Sequence, residues 1–130
     1  MIRFIDEKGI IEPVKPDCES EFERLGIDTA IMLFSAHLFD EICEKFSAKK
    51  IGYFQGAAEM PVYSIIADGK TVAVCRSGIG APAASAMAEE LLACKCIKNL
   101  IAFGICGSLI NIPTRSFIVP DRAFRDEGPT

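Results

Sequence analysis

Apolar residues along the chain alternate between short continuous runs and helical spacings. The run TAIMLF, residues 29–34, is typical of a buried parallel strand, and Ser35 after it is a favoured helix N-cap residue. In the next segment Leu38, Ile42 and Phe46 recur every fourth residue, which is the spacing of one face of an amphipathic helix. The pattern therefore predicts a strand followed by a helix.

Three further strands are predicted after this first pair of elements. They cover residues 50–56, 61–67 and 70–78, each a β-rich apolar run bounded by turn residues. The pair Asp68-Gly69 between the last two runs is a strong hairpin signal. We therefore expect those two strands to pair antiparallel.

The period returns to helical spacing from Ala81 onward, where Pro82 suits the first turn of a second helix. Residues 99–107 then form an apolar strand that runs into glycines, and residues 116–124 are predicted to form one more strand. The order is strand, helix, three strands, helix and two strands. It predicts an α/β domain with a mixed, largely parallel central sheet flanked by helices.

The first 28 residues differ in character from the rest of the chain. Residues 11–28 contain two prolines and dense acidic charge, which predicts an irregular segment with one helical turn around Glu19–Leu25. The organised domain is expected over residues 29–130. The chain stops in the polar loop RDEGPT directly after a predicted strand, so we expect an unfinished sheet with an exposed edge, and hence a homo-oligomer.

Composition and charge exclude several classes of function. A net charge of -4 gives no electrostatic reason to expect a nucleic-acid or anionic-membrane partner. Charges interrupt the N-terminal apolar positions and no long apolar run occurs, so we expect a cytoplasmic protein whose six cysteines are reduced thiols. One histidine and a single C-x-C pair, Cys94 and Cys96, argue against a bound metal.

Two glycine-bearing turns follow predicted strands at the edge where ligands of open α/β sheets collect. Gly78 and Gly80 follow one strand, Gly104 and Gly107 close another, and we expect these strands to be neighbours. Glycine lets a ligand approach the main chain, and the helix N-terminus that follows offers N–H groups to an anion. The spacing alone leaves open a structural role or an anion or sugar site. Neither turn matches a dinucleotide fingerprint or a phosphate loop.

These segments, in their order and wording, resemble the nucleoside phosphorylase superfamily, which includes purine nucleoside and uridine phosphorylases and related nucleosidases. SGIGAPAASAMAEELL is similar to the family's glycine turn and helix, NLIAFGICGSL to its second glycine signature, and SFIVPDRAFRDEG to the strand and loop that follow. The resemblance runs from about residue 30 to residue 130. It implies a phosphorylase/hydrolase-like fold of which only the N-terminal half is present, since the family's ribose-binding Met-Glu motif and leaving-base acid have no counterpart here.

The resemblance also implies a reaction in which phosphate or water attacks the anomeric carbon of a nucleoside while a purine or pyrimidine base leaves. No cofactor is implied, only inorganic phosphate as co-substrate, and no residue is identified as catalytic. The residues implied in phosphate and sugar binding are Arg76, Ser77, Gly78, Gly80, Gly104, Ile105 and Gly107, and a possible substrate rim consists of His37, Cys106 and Arg125.

The chain departs from the family's phosphate donors. Ala102 stands where the phosphorylases carry an arginine, Ile105 stands where they carry a hydroxyl, and the early glycine-rich loop with its arginine is missing. Arg76 is either the substitute cation or an ordinary exposed arginine, and His37 is either a rim residue or a partly buried cap. Three functions therefore stay open: a phosphorylase, a water-using nucleosidase, and a non-catalytic nucleoside- or anion-binding module. The chain alone is expected to be incomplete for catalysis.

Overall fold

A computed structural model of the chain describes residues 3–5, 11–56 and 59–125. Its elements in chain order are β1 (Arg3–Ile5), β2 (Ile11–Pro13), α1 (Glu19–Leu25), β3 (Thr29–Leu33), α2 (Ala36–Lys45), β4 (Lys49–Tyr53), β5 (Pro61–Ala67), β6 (Lys70–Arg76), α3 (Ala81–Ala93) and β7 (Asn99–Phe103). β1 and β2 form a separate two-stranded antiparallel sheet. The other strands form one five-stranded sheet in the order β4-β5-β6-β3-β7.

The main sheet has a parallel half and an antiparallel half. β3 lies between β6 and β7 and is parallel to both. β5 is antiparallel to β4 and to β6, and its turn into β6 uses left-handed backbone at Asp68 and Gly69, as the hairpin signal predicts. The mixed α/β fold expected from the pattern is confirmed.

Side chains alternate between the two faces of the sheet, so each face has its own core. Ala30 and Met32 of β3 face α1 and α3, whereas Leu33 faces α2. The larger cluster, on the side of α1 and α3, is formed by Cys18, Phe22, Ile27, Ala30, Met32, Phe54, Val62, Ala73, Cys75, Met87, Leu91, Cys94 and Ile97. The smaller cluster, on the side of α2, is formed by Leu33, Phe39, Ile65, Val72 and Val74.

Helix ends follow the expected local chemistry. Ser35 caps α2, because its Oγ accepts a hydrogen bond of 3.2 Å from the Leu38 N–H. Gly80 caps α3 with a φ of +87°, a left-handed conformation in which a side chain is strained, and Pro82 lies in the first turn.

Residues 116–124 do not form the strand that their composition predicts. They are exposed and take part in no ladder with other described residues. The Ser116 N–H donates to the Pro113 carbonyl, and the Phe117 ring meets the Phe103 ring at a centroid distance of 6.2 Å. β-propensity measures how a side chain fits a paired sheet, so an apolar run without a partner strand stays irregular.

The amino ends of the three parallel strands are joined by a polar cluster. The Lys70 ammonium lies 2.9 Å from Asp28 Oδ1, and the Thr29 hydroxyl donates to the same carboxylate oxygen over 2.7 Å. Asn99 Nδ2 donates to the Thr29 Oγ1 over 3.4 Å. This cluster lies opposite the carboxyl ends of the strands and holds β6, β3 and β7 in register.

The two outer strands of the sheet differ in how their free edges are covered. At β4, the Tyr53 N–H donates to the Asp17 carboxylate over 2.6 Å, and the Tyr53 carbonyl accepts from the Asp17 N–H over 3.0 Å. Gly52 permits this approach, because a Cβ there would clash with Asp17 and with the Cβ of Cys18. The outer edge of β7, in contrast, pairs with no strand among the described residues.

Candidate functional site

The carboxyl ends of β6, β3 and β7 meet at one edge of the sheet. Leu33 is in register with Arg76 on one side and with Phe103 on the other, so the three strands end in one row. We call the residues that follow these ends, 34–35, 77–80 and 104–107, the strand-end edge. Ligands of open α/β sheets bind at such an edge.

The two glycine turns of this edge do not lie on neighbouring strands, contrary to prediction. β3 separates β6 from β7, so the turns are about 10 Å apart, given about 4.8 Å between adjacent strands. Phe34, directly after β3, lies between them. A Cβ on Gly104 would lie 3.4 Å from Phe34 Cδ2, so this side chain rests against the second turn.

The first turn uses several of its hydrogen-bond donors within the chain. The Ser77 N–H donates to the Leu33 carbonyl over 2.8 Å, and the Ser77 hydroxyl donates to the Gly78 carbonyl over 2.9 Å. The Gly78 N–H donates to Met87 Sδ over 3.3 Å. A Cβ on Gly78 would lie 2.9 Å from the Ala83 Cβ, so this glycine lets the turn pack against α3. Ser77 and Gly78 thus hold the turn in place.

The donors still available at this turn lie at the start of α3. The Ala81 and Ala83 N–H groups belong to the first helical turn and have no intrahelical acceptor, whereas Pro82 has no N–H. Arg76, exposed at the end of β6, forms no ion pair within the described part of the chain. Together these groups can receive an anion.

The second turn is open and apolar. Gly104, Cys106 and Gly107 are exposed, and the Ile105 side chain is 85% exposed. A Cβ on Gly107 would meet nothing within 4 Å, so packing does not require a glycine there. Ala102 lies on β7 and is also exposed. These side chains offer no cation.

The rim residues sit on exposed surface. His37 is in the first turn of α2, and its Nε2 lies 3.4 Å from Glu41 Oε1. The alternative of a partly buried capping histidine is wrong, because Ser35 caps this helix and the His37 side chain is 85% exposed. Arg125 is the last described residue and is exposed.

Sequence reasoning missed one fully buried acid. Glu90 of α3 is 1% exposed, and its two carboxylate oxygens accept the N–H of Gln55 over 3.0 Å and of Gly56 over 2.7 Å. A signal was present, because position 90 lies on the same helix face as Met87. These two hydrogen bonds attach the segment that follows β4 to α3.

The cysteines that are buried in the core are not suited to metal binding or nucleophilic attack. All six are free, and burial raises the pKa of Cys18 and of Cys75 to about 12, so both thiols are neutral near pH 7. No group of three or more His, Cys, Asp or Glu side chains that could hold a metal ion occurs in residues 3–5, 11–56 and 59–125.

Within the same residues, no helix has the length and apolarity that crossing a membrane requires.

Comparison with known proteins found one matching protein family and a similar solved structure. Residues 28–130 match a protein-family model described as Phosphorylase superfamily. The fold is similar to the crystal structure of purine nucleoside phosphorylase from Toxoplasma gondii in complex with immucillin-H, with a TM-score of 0.54 and 24% sequence identity. That similarity covers 67% of this chain and 34% of the other, so the chain spans about a third of that protein's length.

No curated protein sequence matches the chain. The family match nevertheless includes all five strands of the main sheet and the whole strand-end edge. Because this match extends over most of the sequence, the chain belongs to the phosphorylase superfamily.

Proposed function

We propose that the strand-end edge is part of a nucleoside-binding site. The proposed reaction is that of nucleoside phosphorylases: phosphorolysis of the N-glycosidic bond of a purine or pyrimidine nucleoside to free base and pentose 1-phosphate. The observation that carries the proposal is the placement of two glycine turns at the carboxyl edge of the parallel strands, within the range that matches the family. The similar solved protein, a purine nucleoside phosphorylase, agrees with it.

Inorganic phosphate is the proposed co-substrate, and its proposed place is the first turn. The Ala81 and Ala83 N–H groups and the Arg76 guanidinium would supply its hydrogen bonds. Ser77 and Gly78 add little, because their donors are used inside the chain. We therefore expect weak binding, with a dissociation constant of about 1 mM.

The experiment is a base-release assay with inosine, adenosine and uridine, run with and without phosphate. Release that depends on phosphate supports phosphorolysis. Release without phosphate identifies a water-using nucleosidase, a candidate favoured by the scarcity of free phosphate donors at Ala102 and Ile105. Nucleoside binding without release identifies a non-catalytic binding module. If no nucleoside binds and no base is released, the proposal is wrong.

A thiol-labelling experiment tests where the nucleoside lies. Cys106 is exposed in the second turn, whereas Cys43 is half-buried on α2. Bound inosine should slow alkylation of Cys106 and leave the rate at Cys43 unchanged, as measured by peptide mass spectrometry. Equal rates at Cys106 with and without a bound nucleoside would place the ligand elsewhere.

Two further properties belong to this proposal. Free thiols at all six cysteines support a reducing compartment, and we propose the cytoplasm. The outer edge of β7, which pairs with no strand among residues 3–5, 11–56 and 59–125, supports self-association, and we propose a homo-oligomer. Neither a nucleic acid nor a membrane is a proposed partner.

A further inference from the structure

A run of exposed apolar side chains follows the second glycine turn. Residues 108–124 belong to no helix or strand of the described chain, and we call them the apolar arm. Its large apolar side chains that are more than half exposed are Leu109, Ile110, Phe117, Ile118, Val119 and Phe124. Together they expose roughly 1,000 Å² of surface, since a large side chain offers about 150–250 Å².

This area exceeds what a monomeric protein usually exposes and matches what an interface requires. The largest apolar patch on a typical monomer is about 300–600 Å². A specific protein interface buries about 800 Å² of each partner. The apolar arm therefore has enough surface for one side of a stable interface.

The backbone of the arm is also unpaired where its β-propensity is highest. In the segment 116–119, Ser-Phe-Ile-Val, the Ser116 N–H donates to the Pro113 carbonyl. The N–H groups of residues 117–119 donate to no acceptor within the described part of the chain. Pro120 has no N–H and would end a strand at this point. The segment thus has the composition of a strand and no partner.

β7 offers the other half of such a pairing. Neighbouring residues of a strand direct their N–H and C=O groups to opposite sides. The Phe103 carbonyl accepts from the Phe34 N–H, which follows β3, so the backbone groups of Phe103 face β3. The backbone groups of Leu100 and Ala102 therefore point to the outer side of β7, where no described strand lies.

The free backbone groups of the segment 116–119 and of β7 have the same spacing. Phe117 and Val119 are two residues apart, as are Leu100 and Ala102. In an antiparallel pairing Phe117 would exchange both of its hydrogen bonds with Ala102. Val119 would do the same with Leu100.

This register also buries apolar surface on the α2 face of the sheet. Ile101 is on that face, together with Phe103, and is 49% exposed. Ile118 would lie directly opposite Ile101, at the distance at which cross-strand side chains pack. One strand would therefore satisfy the free backbone groups of β7 and cover its exposed isoleucine.

We propose that in the homo-oligomer the segment 116–119 of each copy adds to β7 of a second copy as an antiparallel strand. A second copy is the occupant because each chain has both an open edge and an unpaired strand, so one two-fold contact satisfies both. The chain's own arm leaves this edge free: its Phe117 ring meets the Phe103 ring at the carboxyl end of β7, and no ladder forms between the two segments. The inference rests on the self-association included in the proposed function and names the residues that form it.

The first test is light scattering of the native chain and of charge variants in the arm. Ile118→Lys and Val119→Lys should each abolish the oligomer at a protein concentration at which the native chain is oligomeric. Because both side chains are exposed, far-UV circular dichroism should remain that of the native chain. Ile66→Lys, which adds the same charge on β5, is the control and should stay oligomeric.

The outcomes separate this inference from the self-association on which it rests. If the native chain is an oligomer and both arm variants remain oligomeric, the arm is not the contact and the inference is overturned, whereas the homo-oligomer survives. A monomeric native chain overturns both. Neither result bears on nucleoside binding, which the base-release assay tests separately.

A mixing experiment identifies whose arm occupies the edge. An isotope-labelled chain with Ile101→Cys is mixed with an unlabelled chain with Ile118→Cys and treated with oxidised glutathione. Mass spectrometry should find a disulfide between these positions that joins a labelled to an unlabelled peptide. Ile66→Cys in place of Ile101→Cys should give none. If a chain with both substitutions forms this disulfide only within itself, its own arm occupies β7 and the inference is overturned.

Discussion

Arg76 is the residue on which the electrostatics of the strand-end edge depend. It stands at the end of β6, next to the first turn, where exposed backbone N–H groups begin α3. Its neighbours across the sheet end in Leu33 and Phe103, which carry no charge. The spacing of Arg76 from Gly78 was visible in the sequence. The hydrogen bonds that Ser77 and Gly78 donate within the chain could not be predicted from the sequence, because they depend on the folded turn.

Arg76→Ala should weaken phosphate binding by about 1.5 kcal/mol, or about tenfold, the scale of a hydrogen bond to a charged group. The measurement is a phosphate titration followed by NMR or calorimetry. Lys95→Ala, which removes an exposed cation beyond the far end of α3, is the control and should change nothing. Equal affinities of the native chain and Arg76→Ala would remove Arg76 from the site.

At the scale of elements, the predictable parts are those whose pattern is complete within the element. The α2 spacing, the Ser35 cap and the Asp68-Gly69 turn each carry their own signal, and each is where the pattern places it. Strand order carries no such signal, because periodicity does not say which strands are neighbours. The expected pairing of β6 with β7 was wrong for that reason. The strand predicted over residues 116–124 was wrong for a similar reason, because the pattern of one segment does not show whether a partner strand is available to it.

Glu90→Gln tests the attachment of the chain after β4 to α3. The new amide would place a donor opposite a backbone N–H that now donates to a carboxylate oxygen. We expect the free energy of unfolding to fall by about 1–3 kcal/mol, the cost of an unsatisfied buried polar group. Urea denaturation measures it, with Glu44→Gln on the exposed side of α2 as the control. An unchanged stability would mean that this attachment contributes nothing net.

Because of the polar cluster at the amino ends of the strands, the stability of the sheet depends on pH. The Lys70 hydrogen bond, and then that of Thr29, lower the pKa of Asp28 from its ordinary value of 3.8. Because the folded-state pKa is lowered, the stabilisation is present above about pH 4 and is lost as the pH falls through the lowered value.

Asp28→Asn should therefore be less stable than the native chain at about pH 7, with the difference shrinking toward about pH 3 as the native carboxylate becomes protonated. Denaturant titrations at both pH values measure this. Asp40→Asn on the exposed face of α2 is the control and should show no such convergence. A difference that is the same at both pH values would mean that the charge of Asp28 is not what stabilises the strands.

At the scale of the whole molecule, helices lie on both faces of the sheet, whereas the outer edge of β7 pairs with no strand in the described part of the chain. α1 and α3 cover one face, and α2 covers the other. This outer strand has the sequence NLIAF, without a lysine, a proline or any charge. Exposed strands of this kind pair with other chains unless a charge or a proline prevents it.

Self-association through β7 should disappear when a charge is added there. Ile101 is 49% exposed on this strand, so Ile101→Lys should convert an oligomer into a monomer in light scattering. Ile66→Lys, on β5 inside the sheet, adds the same charge away from the edge and should leave the oligomer intact. A native chain that is monomeric at micromolar concentration would contradict the prediction.

The contact between Asp17 and Tyr53 also limits what kind of assembly this chain can build. Growth into a filament requires each copy to offer two open sides, one to receive the next copy and one to extend. At β4 the hydrogen-bonding groups of Tyr53 are taken by Asp17, whereas a two-fold pair formed through β7 would close on itself. Detachment of the segment around Asp17 would free the backbone groups of Tyr53 and add a second open side from which a filament could grow.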